Sequence, residues 1–164
     1  MGGGLRERMD TRSTSQVTRV LFVCAHNSGR SQMAEAYLNL LGQGRFFAES
    51  AGLEPRDIDP FVVKVMGEEG IDLIAKKAKR IFDFFKEGRL YDYVIYVCDR
   101  ETEAKCPVFP GVRRTLNWAV PDPAAVEGTS EERLRKTREI RDQLKDRVFN
   151  LILENQTQKT PLLR

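Results

Sequence analysis

The sequence predicts an α/β fold, a three-layer, doubly wound domain around a small parallel sheet of about four strands. Three observations carry this expectation. Strand and helix patterns alternate in the order strand–helix–strand–helix–helix–strand–strand–helix, which favours parallel strands joined by right-handed crossovers with helices on both faces. The first strand is an unbroken apolar, β-branched run, the kind that is buried on both sides. The chain has 164 residues, 41% hydrophobic and 31% charged, enough for one hydrophobic core and too few for two.

Residues 1–17 are rich in Gly, Arg, Ser and Thr without periodicity and read as a mobile tail. Arg19–Cys24 (RVLFVC) is the first strand, and Ser31–Leu41 the first helix, with Gly42 placed to end it. Arg45–Ser50 is the second strand, closed by a turn at Ala51-Gly52. Asp59-Pro60 is a helix start, a capping carboxylate followed by proline at the first helical position. That helix carries Val62, Val65 and Met66 and stops near Gly70. Residues 79–88 form a further short helix. Tyr91–Cys98 (YDYVIYVC) and Arg114–Trp118 are the remaining strands. Thr129-Ser130-Glu131-Glu132 has the form of a capping box that opens a last helix, with Ile140, Leu144, Val148 and Leu151 on one face. The folded domain is expected over 18–155, with a C-terminal tail over 156–164.

Composition removes several classes of function. The formal net charge is +3, so no nucleic-acid partner is implied. No apolar run approaches the ~18 residues of a membrane span, and the opening MGGGLRERMD lacks the apolar core of a signal peptide, so the protein is expected in the cytoplasm with no membrane partner. The single histidine, His26, leaves no multi-histidine metal site. Three cysteines are an odd number, too sparse for a disulfide scaffold. They read as buried thiols or as redox and catalytic groups, and their positions decide which.

In a doubly wound sheet, ligands bind at the carboxyl ends of the strands, where Cys24 and Cys98 both fall. The segment Cys24-Ala25-His26-Asn27-Ser28-Gly29-Arg30-Ser31 joins the first strand to the first helix. So tight a loop aims successive N–H groups at one point and forms an anion nest at a helix N-terminus. Arg30 adds a planar fork for two oxygens of a tetrahedral oxyanion. The same positive field favours the thiolate of Cys24, and Ser31 can hydrogen-bond to its sulfur. Asn27 suits a left-handed backbone position and can brace the loop through its amide. The bland alternative is a buried strand-end cysteine beside a glycine turn, with Arg30 in a surface ion pair.

VLFVCAHNSGRSQMAEAYLN resembles the arsenate reductases built on the low-molecular-weight tyrosine phosphatase fold. The resemblance continues through AESAGLEP, GEEGIDL, VCD…CPVFPG and NWAVPDPA, and spans roughly residues 19–150. The SQMAE segment is more similar to the reductase branch than to the phosphatase branch.

Asp122 lies between Pro121 and Pro123, which limit the swing of its carboxylate. A thiolate attacking an oxyanion needs a proton delivered to the leaving oxygen, although Pro-Asp-Pro is also an ordinary turn. The resemblance assigns Asp122 the general-acid role. Cys98 and Cys106 are separated by DRETEAK, which excludes a Cys-x2-Cys zinc pair. By themselves they read either as one buried thiol and one loop thiol, or as a redox pair. The resemblance implies a relay: Cys24 forms a thiol–arsenate adduct, Cys98 attacks Cys24 as arsenite departs, and Cys106 attacks Cys98. The resulting Cys98–Cys106 disulfide is then reduced by thioredoxin. It implies no bound cofactor, with arsenate as substrate and phosphate or sulfate as analogues.

There are departures from the family pattern. The Cys98–Cys106 interval is slightly longer than in the best-known members, and Gly29 stands where many relatives carry another cysteine. Glu35 and Ser50 match positions that bind potassium in some members. The companion acidic residue is absent, and Lys79, near its place, can replace the cation electrostatically, so no metal site is expected. Two competing functions share the loop. A tyrosine phosphatase would use Cys24, Arg30 and Asp122, but Ala124-Ala125 stands where phosphatases often carry an aromatic pair. A non-catalytic oxyanion-binding or redox-sensing module would bind the anion and release it unchanged.

Overall fold

In the computed structural model, which describes residues 17–159, the chain forms β1 (Thr18–Cys24), α1 (Arg30–Leu41), β2 (Phe46–Gly52), α2 (Pro60–Gly67) and α3 (Ile81–Lys86). There follow β3 (Tyr93–Tyr96), α4 (Arg100–Ala104), β4 (Arg114–Asn117), a 3-10 turn at Pro123–Ala125 and α5 (Ser130–Lys159). The expected N-terminal tail, apart from its last residue, lies outside the described residues. The four strands are all parallel in the order β2–β1–β3–β4, the α/β architecture that the alternation predicts. Among the described residues no helix is long and apolar enough to cross a membrane.

β1 is the centre of the sheet. Thr18 and Val20 through Cys24 are buried, and only Arg19 is exposed, which is why its sequence is an uninterrupted apolar run rather than an alternating one. α1 packs on β1 and β2, and α5 packs on α1 and α2. Phe22, Met33, Tyr37, Leu38, Ile95 and Leu144 fill the space between them. The chain leaves β1 toward β2 on one side and later returns to β3 on the other. That reversal opens a crevice at the carboxyl ends of β1 and β3.

Several boundaries differ from expectation, each for a local reason. β2 runs to Gly52, because Ala51 and Gly52 pair with Val23 and Cys24 instead of turning. β3 is confined to Tyr93–Tyr96, since the Asp92 carboxylate takes the Arg19 N–H before the regular ladder begins. The polar interval between Cys98 and Cys106, expected as a loop, contains α4, capped by Asp99, whose side chain accepts from Thr102 N at 2.7 Å. α5 continues through the expected tail boundary at 156 to Lys159. No Gly or Pro interrupts it before Pro161, and Asn155 anchors its last turns by donating to the Tyr93 hydroxyl at 3.1 Å.

The predicted start signals hold. Asp59 accepts from Phe61 N at 2.8 Å with Pro60 opening α2. Thr129 and Glu132 form the reciprocal capping box of α5. Gly42 does end α1, but with φ −103° it serves by being small: a Cβ there would lie 2.8 Å from the Phe46 ring.

Candidate active site

The loop after β1 is shaped by its carbonyl groups. Those of Cys24, Ala25, His26 and Ser28 accept hydrogen bonds from the backbone N–H groups of Leu53, Glu54, Arg56 and Asp59. In a trans peptide the C=O and the following N–H point in opposite directions. The outward carbonyls therefore turn the N–H groups of Ala25, His26, Asn27 and Gly29 into the concavity. Asn27 N reaches the Cys24 sulfur at 3.2 Å, which fixes that direction. Asn27 itself has φ 52°, the left-handed conformation expected for it. Gly52 allows the loop to lie against β2, because a Cβ there would stand 2.6 Å from Asn27 N and 2.7 Å from the His26 carbonyl carbon.

Cys24 is buried, and its sulfur lies 2.9 Å from the Ser31 hydroxyl. The Asn27 amide meets the same hydroxyl. Lys79 N, an unambiguous donor, bonds to Asn27 Oδ1 at 2.9 Å, so the amide nitrogen must face the two hydroxyls. It donates to Ser31 Oγ at 2.7 Å and to Ser50 Oγ at 2.9 Å. Ser31 thus accepts a hydrogen bond from Asn27, which leaves its own hydrogen free to face the Cys24 sulfur. Ser50 in turn donates a hydrogen bond to Glu35 Oε1 at 2.7 Å. Gln32, missed in the sequence, closes the brace by donating to Asn27 Oδ1 at 2.9 Å.

The lysine that answers Glu35 is Lys76, not Lys79. Lys76 Nζ bonds to Glu35 Oε2 at 2.9 Å, whereas Lys79 turns its ammonium to the Lys77 carbonyl at 3.4 Å. Six consecutive residues, AKKAKR, hold four cations, so the sequence alone could not select which one reaches inward.

Arg30 is the first residue of α1 and is buried. Its guanidinium donates to the Val120 carbonyl at 3.1 Å and stands 3.7 Å from Asp122 Oδ2. Asp122 is partly exposed and caps its own 3-10 turn, accepting from Ala124 N at 2.9 Å. The carboxyl group is therefore held at the rim of the loop, beside the arginine. Gly29 lies at the entrance to α1, where a Cβ would approach Val62 Cγ2 to 3.3 Å. Partly exposed Ala25 and Ser28 supply backbone only. His26 Nδ1 lies 2.8 Å from the Glu54 carbonyl; because a carbonyl can only accept, that nitrogen carries a proton.

Cys98 lies two residues beyond β3. Val97 N bonds to Val23 O at 2.8 Å, holding this segment against the end of β1. Burial pushes the Cys98 thiol up to about 12; the nearby Cys24 adds to the effect and Arg30 opposes it. These influences place Cys98 within electrostatic reach of the nucleophile loop. Cys106 is half-buried, and its sulfur donates to the Thr102 carbonyl at 3.4 Å. Its thiol is raised to about 11 by burial, then by the Glu103 carboxylate and by Cys24. All three cysteines are free. The structure thus gathers Cys24, Asn27, Arg30, Ser31, Cys98 and Asp122 around one crevice, with Cys106 on its α4 side.

Residues 19–160 match the protein family described as low molecular weight phosphotyrosine protein phosphatase. The chain is similar to an arsenate reductase of Shouchella clausii, 34% identical over 79% of this chain and 91% of that protein. It is also similar to a glutaredoxin arsenate reductase of Synechocystis, 36% identical over 82% and 95% of the two chains. Among solved structures, a thioredoxin-dependent arsenate reductase of Corynebacterium glutamicum superposes with a TM-score of 0.65 at 27% identity, covering 95% of this chain and 72% of that one.

Proposed function

The chain belongs to the low molecular weight phosphotyrosine protein phosphatase family, and from that membership we propose how it carries out the reaction of its arsenate reductase relatives, the reduction of arsenate to arsenite. Arsenate binds in the loop 25–31, its oxygens on the inward N–H groups and the Arg30 fork. The Cys24 thiolate attacks arsenic(V), and Asp122 gives a proton to the departing oxygen, which leaves as water. The Cys98 sulfur then attacks the Cys24 sulfur. A Cys24–Cys98 bond forms, the electron pair of the S–As bond passes to arsenic, and arsenic(III) leaves as arsenite, which takes up the proton of the Cys98 thiol. Cys106 attacks Cys98 in turn, which frees Cys24 as thiolate and leaves a Cys98–Cys106 disulfide for thioredoxin to reduce.

The observation that carries this reading is the placement of Cys98. Hydrolysis of a phosphoenzyme requires the anion loop and Asp122 but no second thiol. Here a buried second thiol follows directly on Val97, whose N–H bonds to Val23 O at the end of β1, and both Cys24 and Arg30 act on it electrostatically. The decisive experiment measures arsenite formation with thioredoxin, thioredoxin reductase and NADPH, beside hydrolysis of an aryl phosphate. Glutaredoxin with glutathione forms a parallel arm. Arsenite formation supported by the thioredoxin system is the expected result. Aryl phosphate turnover without arsenite would overturn the reading, and support by glutaredoxin alone would change the reductant.

A further inference from the structure

Cys98 lies outside regular structure, yet an attacking thiol needs a fixed approach to its target. The restraint comes from β4. Asn117, the last residue of that strand, donates from its amide nitrogen to the Cys98 carbonyl at 3.2 Å and to Glu103 Oε1 at 2.7 Å. One side chain thereby ties the backbone of the second thiol to Glu103, near the C-terminal end of α4, the helix that leads to the third. α4 has only the residues Arg100–Ala104, too short to hold its shape without tertiary support. Asp99 caps one end of it, and the Cys106 sulfur bonds to Thr102 O near the other. Glu103 and Cys106 line the same open cleft of about 500 Å³, together with Tyr96 and the well-exposed Val108.

We infer that Asn117 is a positioning residue for the thiol relay, its carboxamide bridge to Glu103 and the Cys98 carbonyl holding the Cys98 sulfur on its line of attack. This rests on the relay reading above and adds to it a residue that touches neither oxyanion nor sulfur. The bridge has no part in binding arsenate or in the attack of Cys24, because both depend on the loop 24–31 and Asp122. It acts only when Cys98 must meet Cys24.

The test separates those steps. Asn117→Leu and Glu103→Ala each remove the bridge, while Glu103→Gln keeps an acceptor for the Asn117 amide and removes only the charge. Single-turnover arsenite release is measured in each without added reductant, and phosphate affinity by calorimetry reports on the oxyanion loop. Misplacing a reacting group by about 1 Å can cost on the order of a hundredfold. Arsenite release should therefore fall at least about tenfold in Asn117→Leu and Glu103→Ala, with phosphate affinity within about twofold of the parent and Glu103→Gln near the parent rate. Release at the parent rate in both bridge-breaking variants overturns the inference, as does a parallel loss of phosphate affinity. Iodoacetamide labelling of Cys98, read by mass spectrometry, needs no arsenate. If the parent itself releases no arsenite, the relay reading has failed, and faster Cys98 labelling in Asn117→Leu than in the parent still supports the bridge. Equal labelling rates overturn it.

Discussion

At Cys24 the proton inventory of the neighbours decides the chemistry. The Asn27 amide donates to the Ser31 hydroxyl, which leaves that hydroxyl's hydrogen free to face sulfur, and the loop adds a backbone donor. The relay proposed above gives the three thiols separable roles. Cys98→Ser should abolish thioredoxin-driven arsenite release and spare any aryl phosphate hydrolysis, which uses only the loop and the acid. Cys106→Ser should permit one turnover and then trap a Cys24–Cys98 disulfide, detected by non-reducing peptide mapping. Sustained turnover by both serine variants would remove the relay. Asp122→Asn should slow the first chemical step by about 10²–10⁴-fold, the usual worth of general acid help, and leave phosphate affinity nearly intact. Unchanged pre-steady-state rates would reduce Asp122 to the cap of its 3-10 turn.

Between elements, the site depends on how closely β2 approaches the loop. Gly52→Ala would push a methyl group into the backbone of His26 and Asn27. The expected cost is about 1–3 kcal/mol of stability for overpacking, with phosphate affinity reduced at least about tenfold as the cradle shifts. Denaturant titration and calorimetry on the same variant check both, and parent-like affinity would show the loop indifferent to β2. This contact was not legible in the sequence, where Ala51-Gly52 reads as a turn, because a glycine required by a neighbour's backbone looks like a glycine required by its own. Signals confined to one segment did survive: the apolar run of β1, the Asp59-Pro60 start, the capping box at Thr129 and the left-handed Asn27. Contacts between segments did not. Nothing local distinguishes Lys76 from Lys79, and Asn117 and Glu103 become partners only once α4 lies beside the end of β4.

For the whole molecule, the buried second thiol gives stability a pH dependence of known sign. The Cys98 thiol titrates near 12 in the folded protein and near ~8.5 when unfolded. Below the unfolded value the two states hold the same proton and the full contribution is present. Above it the unfolded chain loses a proton that the native state keeps, so stability declines until the folded value is passed. Denaturant titrations under reducing conditions should show a steeper alkaline decline from pH 8 to 10 for the parent than for Cys98→Ala, by about 1 kcal/mol per pH unit. Identical slopes would mean that the thiol is not shielded. The central position of β1 has a consequence of another kind, in the order of folding. The loop after β1 belongs to the β1–α1–β2 unit, whose strands pair at a separation of 28 residues (Thr18 with Phe46), whereas β3 pairs with β1 at a separation of 73 (Val20 with Tyr93). Long loops close at greater entropic cost and later. The anion cradle is therefore expected to form before Cys98 and Asp122 arrive, and a chain caught midway would hold Cys24 with no second thiol beside it. Docking of β3 is the event that makes the oxidation of Cys24 intramolecular.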